Sequence, residues 1–118
     1  MKVWKDSIEL TSDLFDFIDH LEGNKEFSLS NQFSRALISI SNNIAEGSGS
    51  HSDKEFARFL NISHRSTFEC INLLHLIELK GLISKEVKEE FITQLDKIGR
   101  QLEGLRRHLR RRSEIPRS

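Results

Sequence analysis

Apolar side chains recur three and four positions apart along most of the chain, in four stretches separated by short polar segments. This spacing places them on one face of an α-helix, so the pattern predicts four helices. The first stripe consists of Trp4, Ile8, Thr11, Phe15, Ile18 and Leu21, and ends near Gly23. The second consists of Leu29, Phe33, Leu37, Ile40 and Ile44, and stops at Gly47.

The two later stripes are longer and alternate steps of four and three. The third, which ends at Gly81, consists of Phe56, Leu60, Ser63, Thr67, Cys70, Leu74 and Ile77. The fourth consists of Phe91, Leu95, Ile98, Leu102, Leu105 and Leu109. Arg112 continues the fourth stripe past the expected end of the core. A period near 3.5 favours left-handed packing between helices.

Capping residues indicate where three of the helices begin. Ser28 or Ser30 can cap the second helix through a hydroxyl that accepts a backbone N–H. Ser52 and Glu55 have the spacing of a capping box at the start of the third helix, and Ser84 can cap the fourth.

The short connections between the helices favour antiparallel neighbours. We therefore predict an all-α protein, an up-down-up-down antiparallel four-helix bundle. Its 118 residues correspond to one domain. Residues 113–118, which include Pro116, are expected to form a flexible tail.

Charge is distributed unevenly along a chain whose formal net charge is zero. Residues 1–99 hold 11 Lys and Arg against 16 Asp and Glu, whereas residues 100–118 hold 7 against 2. A basic end on an acidic body predicts either binding to an anion or docking on the acidic body of a neighbouring molecule.

Five arginines fall within the seven residues from Arg106 to Arg112. Two cations would be enough to offset the dipole of a helix C-terminus, so the excess favours contact with phosphate groups. The predicted contacts form an exposed collar of Arg100, Arg106, Arg107, Arg110 and Arg111. No aromatic residue is interleaved with these arginines, so the sequence gives no support for base stacking there.

The sequence gives little support for metal binding or catalysis. None of the five histidines has an acidic residue three positions before it, as the Glu-x-x-His motif of di-iron bundles requires, and no nucleophile elbow is present. Cys70 is the single cysteine and is expected in the core. We therefore predict a protein that is not an enzyme and that binds no metal or cofactor. With no secretory signal and no membrane-length apolar run, a cytoplasmic location is expected.

The second predicted helix has apolar residues nearly all the way round its axis: Ala36, Leu37, Ile38, Ile40, Ile44 and Ala45. Beside them runs a polar strip of Gln32, Arg35, Ser39, Asn42 or Asn43, and Glu46. The strip is either an ordinary solvated face or part of a contact between molecules. In such a contact Arg35 would pair with Glu46 or Glu69 of a neighbouring subunit, because buried charges need partners.

The segment that begins "QFSRALISISNNIAEG" at Gln32 resembles the four-helix bundle family of the 23S ribosomal RNA intervening-sequence proteins. The match to that family's motif includes Gln32, Arg35, Ala36, Ser39, Ile40, Asn43, Ile44, Ala45, Glu46 and Gly47, then Phe56, Phe59, Leu60, Ser66 and Glu69. Ser41 stands where the family usually has proline, and the following loop lacks the family's usual arginine.

This resemblance implies a compact bundle that assembles into a ring-like homopentamer. It further implies a structural or oligomerisation role for Gln32, Arg35, Ser39, Asn43, Glu46, Gly47 and Glu69. A relative, the accessory variability protein of diversity-generating retroelements, binds nucleic acid and a reverse transcriptase through a basic surface. Binding of RNA or DNA and a protein partner such as a reverse transcriptase are therefore expectations by analogy.

The sequence thus predicts a non-enzymatic homo-oligomer that binds RNA or DNA through its arginine-rich surface. The alternative is a scaffold for protein interactions that does not bind nucleic acid.

Overall fold

Four α-helices account for most of the structure, a computed structural model that describes residues 1–114. They are α1 (Lys2–Gly23), α2 (Phe27–Ser48), α3 (Asp53–Leu79) and α4 (Lys85–Glu114). No strand occurs within these residues. The prediction of an all-α fold is confirmed.

Successive helices run antiparallel because the loops that join them are short. Helix α1 packs against α2 and α4, and α3 packs against the same two helices. The hydroxyl of Ser63 on α3 donates to the carbonyl of Ile40 on α2 at 2.7 Å. The amide of Gln101 on α4 donates to Asp6 on α1 at 3.0 Å. The predicted four-helix bundle is confirmed.

Two ion pairs join α3 and α4 at opposite ends of their contact. At one end the buried ammonium of Lys88 lies 3.0 Å from Glu78. At the other, Arg112 donates two hydrogen bonds to Asp53, at 2.6 and 2.7 Å. These pairs lie on either side of the apolar contact and support the register between the two helices.

The core contains most of the predicted apolar stripes. Its central side chains, which are fully or almost fully buried, are Phe33, Leu37, Ile40, Ile44, Leu60, Cys70, Leu74, Ile77, Leu95, Ile98, Leu102 and Leu109. The predictions for α2, α3 and α4 are confirmed, with Leu29, Phe56, Phe91 and Leu105 only partly buried at the edge of the core.

The stripe predicted for α1 is wrong at three positions. Trp4, Ile8 and Phe15 are 38%, 41% and 41% exposed. The buried face of α1 instead consists of Val3, Ser7, Leu10, Thr11, Leu14, Ile18 and Leu21. Helix α1 has two apolar stripes at helical spacing, and only the packing of α2 and α4 determines which one faces the core.

The start of α2 differs from the sequence prediction. The helix begins at Phe27 after Glu26, so neither Ser28 nor Ser30 is its N-cap. The side chain of Ser30 is buried and donates to Glu22 of α1 at 3.0 Å. Ser30 therefore joins two helices instead of capping one.

The predicted N-caps of α3 and α4 are confirmed, and the end of α3 lies close to the predicted one. The hydroxyl of Ser52 accepts the N–H of Glu55, and that of Ser84 accepts the N–H of Val87, both at 3.1 Å. Helix α3 ends two residues before Gly81, whose φ of 74° requires a glycine-like backbone.

Helix α4 extends further than predicted. Ser113 and Glu114 are helical, so the predicted tail does not begin at residue 113. The rest of that prediction, including the limit at Pro116, lies outside the described residues.

Gly47 is required by close packing between α2 and α3. A Cβ atom at this position would lie 2.7 Å from Cδ1 of Phe56 and 2.9 Å from Cβ of Phe59. Both distances are shorter than van der Waals contact. The absence of a side chain at Gly47 therefore lets the end of α2 approach the aromatic start of α3.

We expect Gly47→Ala to lower the free energy of unfolding by about 1–3 kcal/mol, because overpacking outweighs the gain in helix propensity. Gly104→Ala is the matched control, since nothing lies within 4 Å of a Cβ there. That variant should raise the free energy of unfolding by about 0.5–1 kcal/mol. Urea unfolding followed by circular dichroism measures both, and a Gly47→Ala protein as stable as Gly104→Ala would contradict the packing argument.

Candidate nucleic-acid interface

The antiparallel contact of α3 and α4 places the arginine-rich end of α4 beside the first turns of α3. A surface cavity of about 450 Å³ lies between them. It is lined by Ser52, Lys54, Glu55, Ala57, Arg58, Asn61, Arg106 and Arg110. We call this the α3/α4 basic surface, together with the neighbouring Arg107 and Arg111.

Lys54 and Arg58 were not among the predicted phosphate contacts. Both belong to the first turns of α3, far in sequence from the arginine-rich end. The capping box at Ser52 locates the start of α3, and an antiparallel α4 must end beside it. The sequence could therefore have predicted where Lys54 and Arg58 lie, because the antiparallel topology follows from it, although no local motif marked these two residues.

Arg106 is less exposed than predicted. Its side chain is only 21% exposed, because it lies on the side of α4 that faces α3. It donates two hydrogen bonds to Glu103, at 2.9 and 2.6 Å. Arg106 is thus held against the bundle and does not belong to an exposed collar.

Glu103 is the acidic centre of this arginine cluster. It accepts hydrogen bonds from Arg106 and, at 3.2 Å, from Arg107. The hydrogen bond from Arg106 is the largest cause that lowers the pKa of Glu103 to about 2, followed by that from Arg107. Glu103 therefore stays ionised and offsets part of the positive charge around it.

The remaining predicted arginines are exposed. Arg100 and Arg107 are 82% and 68% exposed, and Arg100 pairs with Asp96 at 2.6 Å. Exposed pairs of this kind contribute little to stability and exchange readily. Arg110 and Arg111 have no carboxylate within 4 Å among residues 1–114.

Arg112 follows the core stripe past Leu109, as predicted. Its guanidinium reaches Asp53 at the start of α3. This contact stabilises the end of the bundle and occupies two of its five N–H groups.

The residues predicted to have a structural or oligomerisation role separate into two groups. Ser39 shares a 2.8 Å hydrogen bond with Ser66 of α3, and Asn43 donates to the carbonyl and hydroxyl oxygens of Ser39. Ser39 and Gly47 therefore join α2 to α3, whereas the hydrogen bonds of Asn43 lie within α2 and hold Ser39. Helix α2 is continuous through Ser41.

The second group points away from its own bundle. Gln32, Arg35, Glu46 and Glu69 are exposed. Arg35 and Glu69 line opposite sides of a cavity of about 330 Å³ between α2 and α3. No ion pair joins Arg35 to an acidic residue within residues 1–114, so an intermolecular role remains a prediction.

Groups suited to metal binding or nucleophilic chemistry are scarce. Residues 1–114 contain no cluster of three or more His, Cys, Asp or Glu side chains able to hold a metal ion. Cys70 is buried as predicted, and burial raises the pKa of its thiol to about 12. A thiol of this kind is a poor nucleophile. Among the described helices, none has the length and apolarity needed to cross a membrane.

A protein-family model described as 23S rRNA-intervening sequence protein matches residues 1–104. The chain belongs to this family. A crystal structure of a protein with unknown function from the S23 ribosomal protein family of Bacteroides thetaiotaomicron VPI-5482 superimposes with a TM-score of 0.83. The two chains are 27% identical, and the alignment covers 87% of this chain and 96% of the other. No curated protein matches the sequence.

The match to the 23S rRNA-intervening sequence family ends before the arginine-rich end of the chain. It contains the whole α2 motif and Arg100, whereas Arg106 and the arginines after it lie beyond residue 104. The α2 motif is therefore part of the region that defines the family, as are Lys54 and Arg58, whereas the four arginines that α4 contributes to the basic surface are not. The family's name states no activity, and the Bacteroides protein is itself of unknown function.

Stability should depend on pH through Glu103. Because the pKa of Glu103 in the folded protein lies below its ordinary value of 4.5, its carboxylate stabilises the fold above about pH 4.5. This contribution is lost as the pH falls from 4.5 towards 2. We expect Glu103→Gln to be less stable than the unsubstituted protein by about 1 kcal/mol at pH 7.

The difference in free energy of unfolding between Glu103→Gln and the unsubstituted protein should shrink as the pH falls through that acid range. Urea unfolding at several pH values measures it. Glu90→Gln, which removes an exposed carboxylate from the same helix, is the control and should leave stability nearly unchanged. If Glu103→Gln lowers the free energy of unfolding by the same amount at pH 7 and at pH 3, the pairing of Glu103 with arginine does not stabilise the fold.

Proposed function

We propose that the protein is a non-enzymatic homo-oligomer that binds RNA or DNA through the α3/α4 basic surface. The observation that carries this proposal is the convergence of Lys54 and Arg110 around one cavity. They come from two different helices, and neither has an acidic partner among residues 1–114. Guanidinium and ammonium groups on one surface bind phosphates and release counterions from nucleic acid.

Arg110 and Arg111 are the strongest candidates for phosphate contact. Both are exposed, and neither has an acidic partner among the described residues. Arg106 and Arg112 are less suited, because Glu103 and Asp53 already hold them. Arg58 is held in the same way by Glu55, at 2.6 Å. The structure therefore supports a narrower set of contacts than the run of arginines in the sequence.

Self-association would collect several basic surfaces in one assembly and strengthen binding through multivalency. Two features favour it. Trp4, Ile8 and Phe15 leave an apolar stripe of α1 exposed, and exposed apolar patches mark contacts with other molecules. Arg35 and Glu69 provide charges of opposite sign on an exposed face, so each can pair with the other in a second copy. A homopentamer is the assembly that the resemblance implies.

The second candidate function is a scaffold that binds a protein, such as the reverse transcriptase expected by analogy. The same exposed apolar stripe on α1 favours it. Capture of a protein partner that survives nuclease treatment, together with no affinity for RNA or DNA, would favour the scaffold over the nucleic-acid-binding protein.

We expect Arg110→Gln combined with Arg111→Gln to weaken binding to both RNA and DNA, because two phosphate contacts are lost. The slope of log affinity against log salt concentration should fall by about 2, measured by fluorescence anisotropy between about 50 and 200 mM salt. Lys85→Gln combined with Lys97→Gln removes the same charge away from the basic surface and is the matched control. Equal effects of the two double variants, or a salt slope near zero for the unsubstituted protein, would refute the proposal.

The oligomer is tested by light scattering after size exclusion. We expect a mass near five times the 13.7 kDa of one chain. Arg35→Glu should lower that mass, because it places like charges opposite each other, whereas Lys97→Glu should not. A monomeric mass for the unsubstituted protein would refute self-association without affecting the prediction of nucleic-acid binding.

A further inference from the structure

A second groove between α3 and α4 lies next to the basic surface along the same pair of helices. Its cavity has a volume of about 320 Å³. Helix α3 contributes aromatic and apolar side chains, and α4 contributes arginines and glycines. The residues that matter here are His64, Phe68, Gly99, Arg100, Gly104 and Arg107.

Phe68 is the exposed aromatic side chain of this groove. It is 60% exposed, although a phenyl ring is normally buried. The imidazole ring of His64 lies 4.9 Å from it, centre to centre, at an interplanar angle of 31°. His64 supports the phenyl ring on one side, and much of the ring remains open to a ligand.

Two glycines of α4 line the groove, and they differ in the space beside them. Nothing lies within 4 Å of a Cβ built at Gly104, so the groove is open there. A Cβ at Gly99 would lie 3.1 Å from Nε2 of His64, which shows that the imidazole packs directly against the α4 backbone. The groove thus has a supported aromatic wall and an open backbone wall.

Arg100 and Arg107 lie at the α4 side of the groove, two helical turns apart. Arg100 uses only Nη2 to bind Asp96, and Arg107 uses only Nε to bind Glu103. A guanidinium has five N–H groups, so each side chain keeps several donors for a phosphate. The two carboxylates in the groove, Asp96 and Glu103, are both paired with these arginines, so phosphate binding depends on the N–H groups that the pairs leave free.

We infer that this groove binds single-stranded nucleic acid, with a base stacked on Phe68 and the neighbouring phosphates bound by Arg100 and Arg107. The inference rests on the proposed function and specifies its ligand. Cations that contact the backbone, together with an exposed aromatic ring on which a base can stack, form the combination that binds single strands. The bases of a duplex are already stacked on each other and cannot reach the ring.

Base stacking had no support from the sequence, because no aromatic residue lies among the arginines of α4. Phe68 belongs to α3, and the antiparallel contact brings it beside Arg100 and Arg107. The ring and the cations are neighbours only in the folded bundle.

The test compares Phe68→Leu with the unsubstituted protein in binding to oligouridylate of about ten nucleotides and to a DNA duplex. Leucine keeps an apolar side chain but removes the flat ring. We expect affinity for oligouridylate to fall about fivefold or more. Affinity for the duplex and the salt slope with either ligand should be unchanged, because no charge is altered.

Phe27→Leu is the matched control, because Phe27 is 58% exposed and lies on α2, away from the groove. It should bind both ligands like the unsubstituted protein. Unchanged affinity of Phe68→Leu for oligouridylate, or an equal loss of affinity for oligouridylate and for the duplex, would overturn the proposal that a base stacks on Phe68. Either result would leave the proposed function intact. No binding of either ligand by the unsubstituted protein would overturn both.

Discussion

The antiparallel contact between α3 and α4 is the constraint on which the candidate surfaces depend. It buries the long apolar stripes of both helices and is flanked by the pairs Lys88–Glu78 and Arg112–Asp53. A shift of one helical turn would break both pairs and separate Phe68 from Arg100. The same packing that stabilises the bundle therefore places cations from α4 beside residues from the first half of α3.

Much of the positive charge in the arginine-rich end is compensated within the chain. Glu103 and Asp53 hold Arg106 and Arg112, and weaker pairs engage Arg100 and Arg107. Charge that is paired on a surface attracts an anion less strongly than the sequence count implies. The folded protein thus presents a few available cations, chiefly on the last turns of α4, beside an aromatic groove.

The family motif and the arginine-rich end serve different purposes. Ser39 and Gly47 pack α2 against α3, and Asn43 holds the side chain of Ser39, so all three are architectural within one chain. Arg35 and Glu69 lie outside that contact and are exposed. The arginines that α4 contributes to the basic surface lie beyond the residues that match the family. Membership in the family therefore supports the fold directly, whereas the nucleic-acid proposal rests on this chain's own surface.

The sequence by itself determined the number of helices, their order and most of the core, because a helical period and capping residues such as Ser52 and Ser84 act over short distances. It also located the arginine-rich end and Gly47. Only the tertiary structure decided which of two apolar stripes on α1 is buried, that Arg106 is held against the bundle, and that Phe68 lies beside Arg100. Each depends on a contact between helices, and a pattern along one helix carries no information about its neighbour.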